Sequence, residues 1–200
     1  MDKIEYRHGG GHVNFLDEEQ QSDLMDLNLA FLSRCTAPSL RHEISRPPPC
    51  GLESLDEHGI RRLAESPFAL FRVQFPEKFA SGEPTAVYWE YSTHETAALP
   101  LLAAAYCRSV ASIGSEISSL VLGLSRRERD NLLACSINRL KEQECRGNLR
   151  LQANFLWTPR YWTGLVRAAK EPGEFILRST RIQGIQLLAA AASGLNAMKR

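Results

Sequence analysis

Arg126, Arg127 and Arg129 crowd one short stretch, and Arg139, Lys141, Arg146 and Arg150 follow soon after. Guanidinium groups on neighbouring helical turns can bond phosphate oxygens, and an arginine-lined helix pair can hold a nucleic-acid backbone. Glu128, Asp130, Glu142 and Glu144 interleave with these cations and blunt the local field. A solvated, partly paired face is therefore the first reading. The second is a surface for DNA or an acidic protein, and Arg126, Arg127, Arg129, Arg139, Lys141 and Arg146 are its expected contact residues.

Other chemistries find less support. Arg7-His8-Gly9-Gly10-Gly11-His12 contains a segment that can supply oxyanion-hole amides in esterases, but no Gly-x-Ser-x-Gly nucleophile turn accompanies it. A flexible arm is expected there. The five cysteines (Cys35, Cys50, Cys107, Cys135 and Cys145) form no Cys-x-x-Cys pair, and Cys35, His42 and Cys50 fit no zinc framework. Phosphate-cradling glycine motifs are absent from the sequence. No cofactor, no metal and no catalytic residue is expected. An enzyme with a Cys or His centre is the least favoured class. Trp157, Tyr161 and Trp162 are expected to be core residues rather than base-stacking platforms.

These residues sit in a 200-residue chain that is 44% hydrophobic and 24% charged, enough to bury a real core. The formal net charge of +1 hides an asymmetry. Residues 1–100 carry 9 Lys+Arg against 16 Asp+Glu, and residues 101–200 carry 15 against 7. An acidic half followed by a basic half can attract each other, or the basic half can meet an acidic partner. An odd cysteine count and a polar Met1–Glu5 start favour free thiols in a reducing cytoplasm. No apolar stretch is long enough to cross a bilayer, so no membrane contact is expected.

The elements follow from periodicity and capping. Residues 1–16 read as an arm. Asp17 opens a helix with Leu24, Leu27 and Phe31 on one face, ending before Pro38. Residues 36–52 read as a loop. Ser54-Leu55-Asp56-Glu57 has the form of a capping box for a helix through Ala64. Phe68–Phe75 reads as a strand or extended segment, and 80–96 as a loop anchored by Tyr88 and Trp89. Leu101–Leu122 reads as one long helix, weakened at Gly114 and ended by Gly123. Ser125-Arg126-Arg127-Glu128 forms a second capping box, and Ser136 caps another helix. Residues 125–144 thus have the general shape of a helix-turn-helix. An extended Leu149–Phe155, a helix from Pro159 and a last helix from about Glu174 complete a mainly helical chain.

The order of landmarks recurs. Ala30-Phe31 echoes Ala105-Tyr106, Gly51-Leu52 echoes Gly123-Leu124, and Ile60-Arg61-Arg62-Leu63-Ala64-Glu65 echoes Ile137-Asn138-Arg139-Leu140-Lys141-Glu142. Phe75 and Phe155 close the two extended segments. One supersecondary unit used twice is the implication. Residues 17–97 form the first, acidic repeat, and 98–200 the second, basic repeat with its C-terminal helix. Windows 22–80 and 99–157 are expected to superpose as helix, loop, helix and extended segment.

Asp26-Leu27-Asn28-Leu29-Ala30-Phe31-Leu32 and Arg62-Leu63-Ala64-Glu65-Ser66-Pro67-Phe68-Ala69-Leu70-Phe71-Arg72-Val73-Gln74-Phe75 resemble FlhD, the subunit of the bacterial flagellar transcription activator. Leu122-Gly123-Leu124 echoes a further step of that family. Family members are helical, form intertwined dimers, and act on DNA with a second, zinc-bearing subunit. The resemblance implies a cytoplasmic bacterial regulator with two FlhD-like helical repeats packed as an intramolecular pseudo-dimer. It would act through a protein partner, with DNA contact and self-association left open. The fused length, the loop at Pro47–Pro49 and the acidic first half depart from the family pattern and count against direct DNA binding. A non-DNA-binding adaptor or chaperone-like protein is the alternative.

Overall fold

A computed structural model of the chain describes residues 15–37, 43–49, 51–75 and 98–194. The expected N-terminal arm falls almost wholly outside them, as do Tyr88, Trp89, His42 and Cys50. The described chain is mainly helical with one small sheet. Its elements are α1 (Glu18–Thr36), β1 (Ile44–Arg46), a single 3-10 turn at Leu52–Ser54, α2 (Glu57–Ala64), β2 (Phe71–Gln74), α3 (Leu99–Ile113), α4 (Ser115–Leu122), α5 (Arg126–Ala134), α6 (Ile137–Cys145), β3 (Arg150–Ala153), α7 (Pro159–Lys170) and α8 (Glu174–Ala192).

Helix starts follow side-chain chemistry. Asp17 caps α1 by accepting from the amide of Gln20 at 2.8 Å, and Gln20 returns a bond to the Asp17 amide. The cap of α2 is Asp56, whose carboxylate accepts from the Gly59 amide at 2.7 Å. Ser54, the expected cap, lies instead in the 3-10 turn and donates to the Gly51 carbonyl at 2.6 Å. The local competition favours Asp56 because it stands directly before the helix.

The long helix expected over 101–122 is two helices. Gly114 has extended backbone (φ 171°, ψ 161°), which ends α3 and starts α4. Gly123 has φ 68° and caps α4 in the left-handed region that glycine tolerates best.

The sheet has order β1-β3-β2. β2 and β3 run antiparallel, with Phe71 opposite Ala153 and Val73 opposite Leu151. These four residues are buried on one face, as a period of two requires. The other face carries Gln74, which donates to Gln152 at 2.8 Å. β1 joins β3 in parallel through Ile44 and Leu151. This strand lies inside the segment read from sequence as a loop. Three residues beside prolines carry no periodicity, and the partner is about a hundred residues away.

Phe31, Phe68, Phe71, Phe155 and Trp162 are buried at the centre of one core shared by both halves. Phe155 packs 4.4 Å from the Tyr161 ring and edge-on against Phe68. It does so with φ 59°, a conformation rare outside glycine. Aromatic contacts on two sides hold that backbone in place.

The two windows share only a coarse order. Each begins with a long helix and ends with a short helix followed by a strand. Between these, the first window has β1 and the 3-10 turn, and the second has α4 and α5.

Candidate functional site

The arginine-rich surface lies on α5 and α6, joined through Cys135 and Ser136. Ser125 caps α5 as its sequence requires. Its hydroxyl accepts from the Glu128 amide at 3.3 Å, and its own amide donates to Glu128 Oε2 at 2.9 Å. Glu128 also pairs with Arg72 of β2, tying the helix to the sheet. Burial raises the Glu128 pKa, but Arg72 and the Ser125 hydrogen bonds outweigh it, and the net value is below the usual carboxylate range. Ser136 caps α6 by accepting from the Arg139 amide at 3.2 Å.

α3 and α5 exchange arginines. Arg108 donates to the carbonyls of Cys135 at 2.8 Å and Leu133 at 3.2 Å. Arg129 donates to the carbonyl of Ala111 at 2.9 Å and pairs with Asp130. Each cation thus meets carbonyls near the C-terminal end of the other helix, where the helix dipole is negative.

The six expected contact residues therefore separate. Arg126 has a 90% exposed side chain, 3.9 Å from Asp130. Arg127 and Lys141 are also exposed. Arg129 is 22% exposed and engaged with α3. Arg139 is half-buried, and Arg146 is held by Glu142 at 2.5 Å. Among them, Arg126, Arg127 and Lys141 present their charge outward. Ile137 lies beside them at the start of α6, 43% exposed.

The polar groups inside the fold serve other ends. Asn28 of α1 is fully buried. Its amide donates to the carbonyls of Ala64 and Phe68 at 3.2 and 3.0 Å, and its oxygen accepts from the Leu70 amide at 2.8 Å. Asn154 grips the same segment from the other side, donating to Ala69 at 2.8 Å and Phe71 at 2.9 Å. The Trp162 indole donates to the Asn154 carbonyl at 2.6 Å. Trp162 and Tyr161 are core residues as expected, while Trp157 is 38% exposed.

Among the described residues the charge asymmetry does not organise the contact between halves. Among the described residues three ion pairs link them: Arg72–Glu128, Arg62–Glu174 and Arg181–Glu65. Only the last joins a second-half cation to a first-half acid. Sequence reading overlooked Arg62 and Arg181, because neither lies in a cluster.

No disulfide joins Cys35, Cys107, Cys135 and Cys145. Burial pushes the Cys107 thiol up to about 12, which disfavours the nucleophilic thiolate near neutral pH. Among the described residues no group of three or more His, Cys, Asp or Glu side chains is placed to hold a metal. A hollow of about 340 Å³ is lined by Glu18, Gln21, Ser22, Met25, Glu65 and Ser66. One of about 280 Å³ is lined by Gly51, Ser54, Thr163, Val166, Arg167 and Lys170. Neither lining includes a histidine or cysteine. No helix among the described residues is long and apolar enough to cross a membrane.

No protein-family model matches the chain, and neither a search of curated proteins nor one of solved structures returns a match.

Proposed function

We propose that the protein is a bacterial regulatory protein of the FlhD type that acts through a protein partner, its two halves taking the place of two dimer subunits. The observation that carries this reading is the Asn28 clamp. The two segments that resemble FlhD, 26–32 and 62–75, are far apart in sequence, yet Asn28 of the first bonds Ala64, Phe68 and Leu70 of the second. The resemblance thus falls on residues that act together. The packing adds support: α1 lies on α2 as α3 lies on α6, and the closing strands β2 and β3 pair antiparallel, as a two-fold relation would generate.

Arg126, Arg127 and Lys141, exposed on α5 and α6, favour DNA contact as a second activity of the same surface. With Arg129 turned back to the Ala111 carbonyl and Arg146 paired with Glu142 at the surface, the footprint is small and the binding weak and sequence-independent. An adaptor that binds protein alone is the competing reading. The test is capture of partners by the tagged full chain, followed by DNA binding across a salt series, for the native protein and for Arg126→Glu/Arg127→Glu. Loss of partner capture with the fold intact supports a partner surface here. A shallower salt slope in the variant supports phosphate contact. A double variant that captures partner and binds DNA like the native chain removes α5–α6 from function.

A further inference from the structure

The exposed face of α7 carries cations and no acid. The helix holds Arg160, Arg167 and Lys170 without one aspartate or glutamate. All three cations face solvent, as do Thr163 and Gly164 between them. Among the described residues none of the three makes an ion pair or a side-chain hydrogen bond. On α5 and α6, by contrast, Arg126, Arg129 and Arg146 each meet an acid. Arg167 and Lys170 suit the negative end of the helix dipole. Yet the carbonyls of Ala169 and Glu171 at that end already accept from Arg62. The two surface cations keep their charged heads for another partner.

Both cations border a hollow. With Thr163 they form one row along the helix, four and then three residues apart and about 10 Å long. Gly51 and Ser54 of the 3-10 turn make the other side, and the buried Val166 lies at the bottom. The volume is about 280 Å³, the space of roughly nine waters at about 30 Å³ each. The Thr163 hydroxyl has no partner among the described residues. Ser54 donates its proton to the Gly51 carbonyl at 2.6 Å, so its oxygen can only accept.

We propose that this hollow binds a small organic phosphate monoester, its phosphate on Thr163, Arg167 and Lys170 and its carbon body against Val166. A guanidinium and an ammonium supply charge-assisted donors to phosphate oxygens, and the hydroxyl adds a third donor. The apolar bottom favours a ligand with a carbon body over a bare ion. Two acids stand nearby. The Glu53 carboxylate lies beside Gly51, and Glu171 follows Lys170. Neither lines the hollow, and they limit the affinity without closing the site.

The site stands apart from the α5–α6 surface and requires neither DNA nor a protein partner. α7 packs on α2 and α8. A ligand that bridges α7 and the Leu52–Ser54 turn needs both in their folded places. It therefore binds the folded chain and not the unfolded one, and raises its stability in proportion to occupancy.

Titration calorimetry and thermal melts of the full chain at constant ionic strength test this, with phenyl phosphate, inorganic phosphate and a short DNA duplex as probes. Phenyl phosphate is expected to bind one to one, more tightly than inorganic phosphate, and to raise the melting temperature. Arg167→Gln/Lys170→Gln should weaken it about tenfold or more, and Thr163→Val by a smaller factor. Arg160→Gln, on the same face but outside the hollow, should leave it unchanged. Circular dichroism checks that each variant keeps its fold. A native chain that binds neither phosphate overturns the proposal. Equal weakening by Arg160→Gln also overturns it, since the response would then be general charge attraction. So does inorganic phosphate that binds as tightly as phenyl phosphate, which would make the hollow a place for an adventitious ion only. Duplex binding that the double variant loses, without monoester binding, would assign the face to a nucleic-acid backbone and overturn the proposal as well.

Discussion

Arg62 and Arg181 hold each other's segments of chain. The Arg62 guanidinium reaches the carbonyls of Ala169, Glu171 and Gly173 and the carboxylate of Glu174, while Arg181 donates to the carbonyl of Arg62 itself. The first cation organises the α7–α8 connection, and the second, on α8, secures the helix that carries the first.

Arg62→Met should destabilise the protein by about 2–4 kcal/mol, because it strips buried carbonyls of their donor. Denaturant unfolding measures the effect. A loss below about 1 kcal/mol would mean that water replaces the guanidinium at no great cost.

Asn28→Leu removes three bonds to buried backbone groups and should cost about 3 kcal/mol. Asn28→Asp is the sharper probe. It keeps the acceptor for the Leu70 amide but points oxygen at two carbonyls. Its stability should fall as pH rises through the aspartate's titration, whereas the native chain should not share that extra slope. Parallel unfolding curves of the two proteins between pH 5 and 8 would contradict the bonding described.

Glu128 and Glu144 titrate in opposite senses. The folded pKa of Glu128 is lowered, so its stabilisation is full above the unfolded carboxylate value of about 4.3 and lost as pH falls through the folded value. For Glu144, burial and then Glu43 raise the folded pKa. Its ionisation therefore costs stability as pH rises from the unfolded value through the folded one. At neutral pH Glu128→Gln should lose about 1 kcal/mol, a figure discounted because its side chain is 41% exposed. Glu144→Gln should be neutral or stabilising. Thermal melts of both at pH 7 and near pH 3.5 check the signs, and the two effects should shrink at the lower pH.

Two helical glycines should respond oppositely to alanine. A Cβ at Gly184 would stand 2.2 Å from the Tyr161 hydroxyl and 2.6 Å from the Phe68 ring. Neither ring can withdraw, so Gly184→Ala should cost about 1–3 kcal/mol or more. A Cβ at Gly164 meets nothing within 4 Å, so Gly164→Ala should gain about 0.5–1 kcal/mol. A neutral Gly184→Ala would show that α8 can slide on α7.

Capping and periodicity made most helices legible. Asp17, Ser125 and Ser136 each announce a helix through the bond they then make, and Pro159 opens α7 as its fixed geometry allows. The break at Gly114 was legible only as weakness, because an extended glycine at that point depends on how α4 packs. β1 was invisible because its three residues are specified by β3 rather than by themselves. Within the arginine cluster, sequence showed charge but not direction. Nothing local separates Arg127, which faces solvent, from Arg129, which turns back to Ala111. The outward Phe175 was likewise hidden, since an apolar residue on a helix gives no sign of which side finds a neighbour.

β3 lies between β1 and β2, so the middle of the sheet is the last part to be synthesised. About 75 residues separate the end of β2 from the start of β3, which at roughly 5–20 residues per second is about 4–15 s of elongation. Through that interval the earlier strands have open edges and no template to close them. A ribosome that pauses after Gln74 would therefore expose a sticky intermediate, and synonymous codons that speed the stretch encoding 75–150 should raise the soluble yield of the full chain.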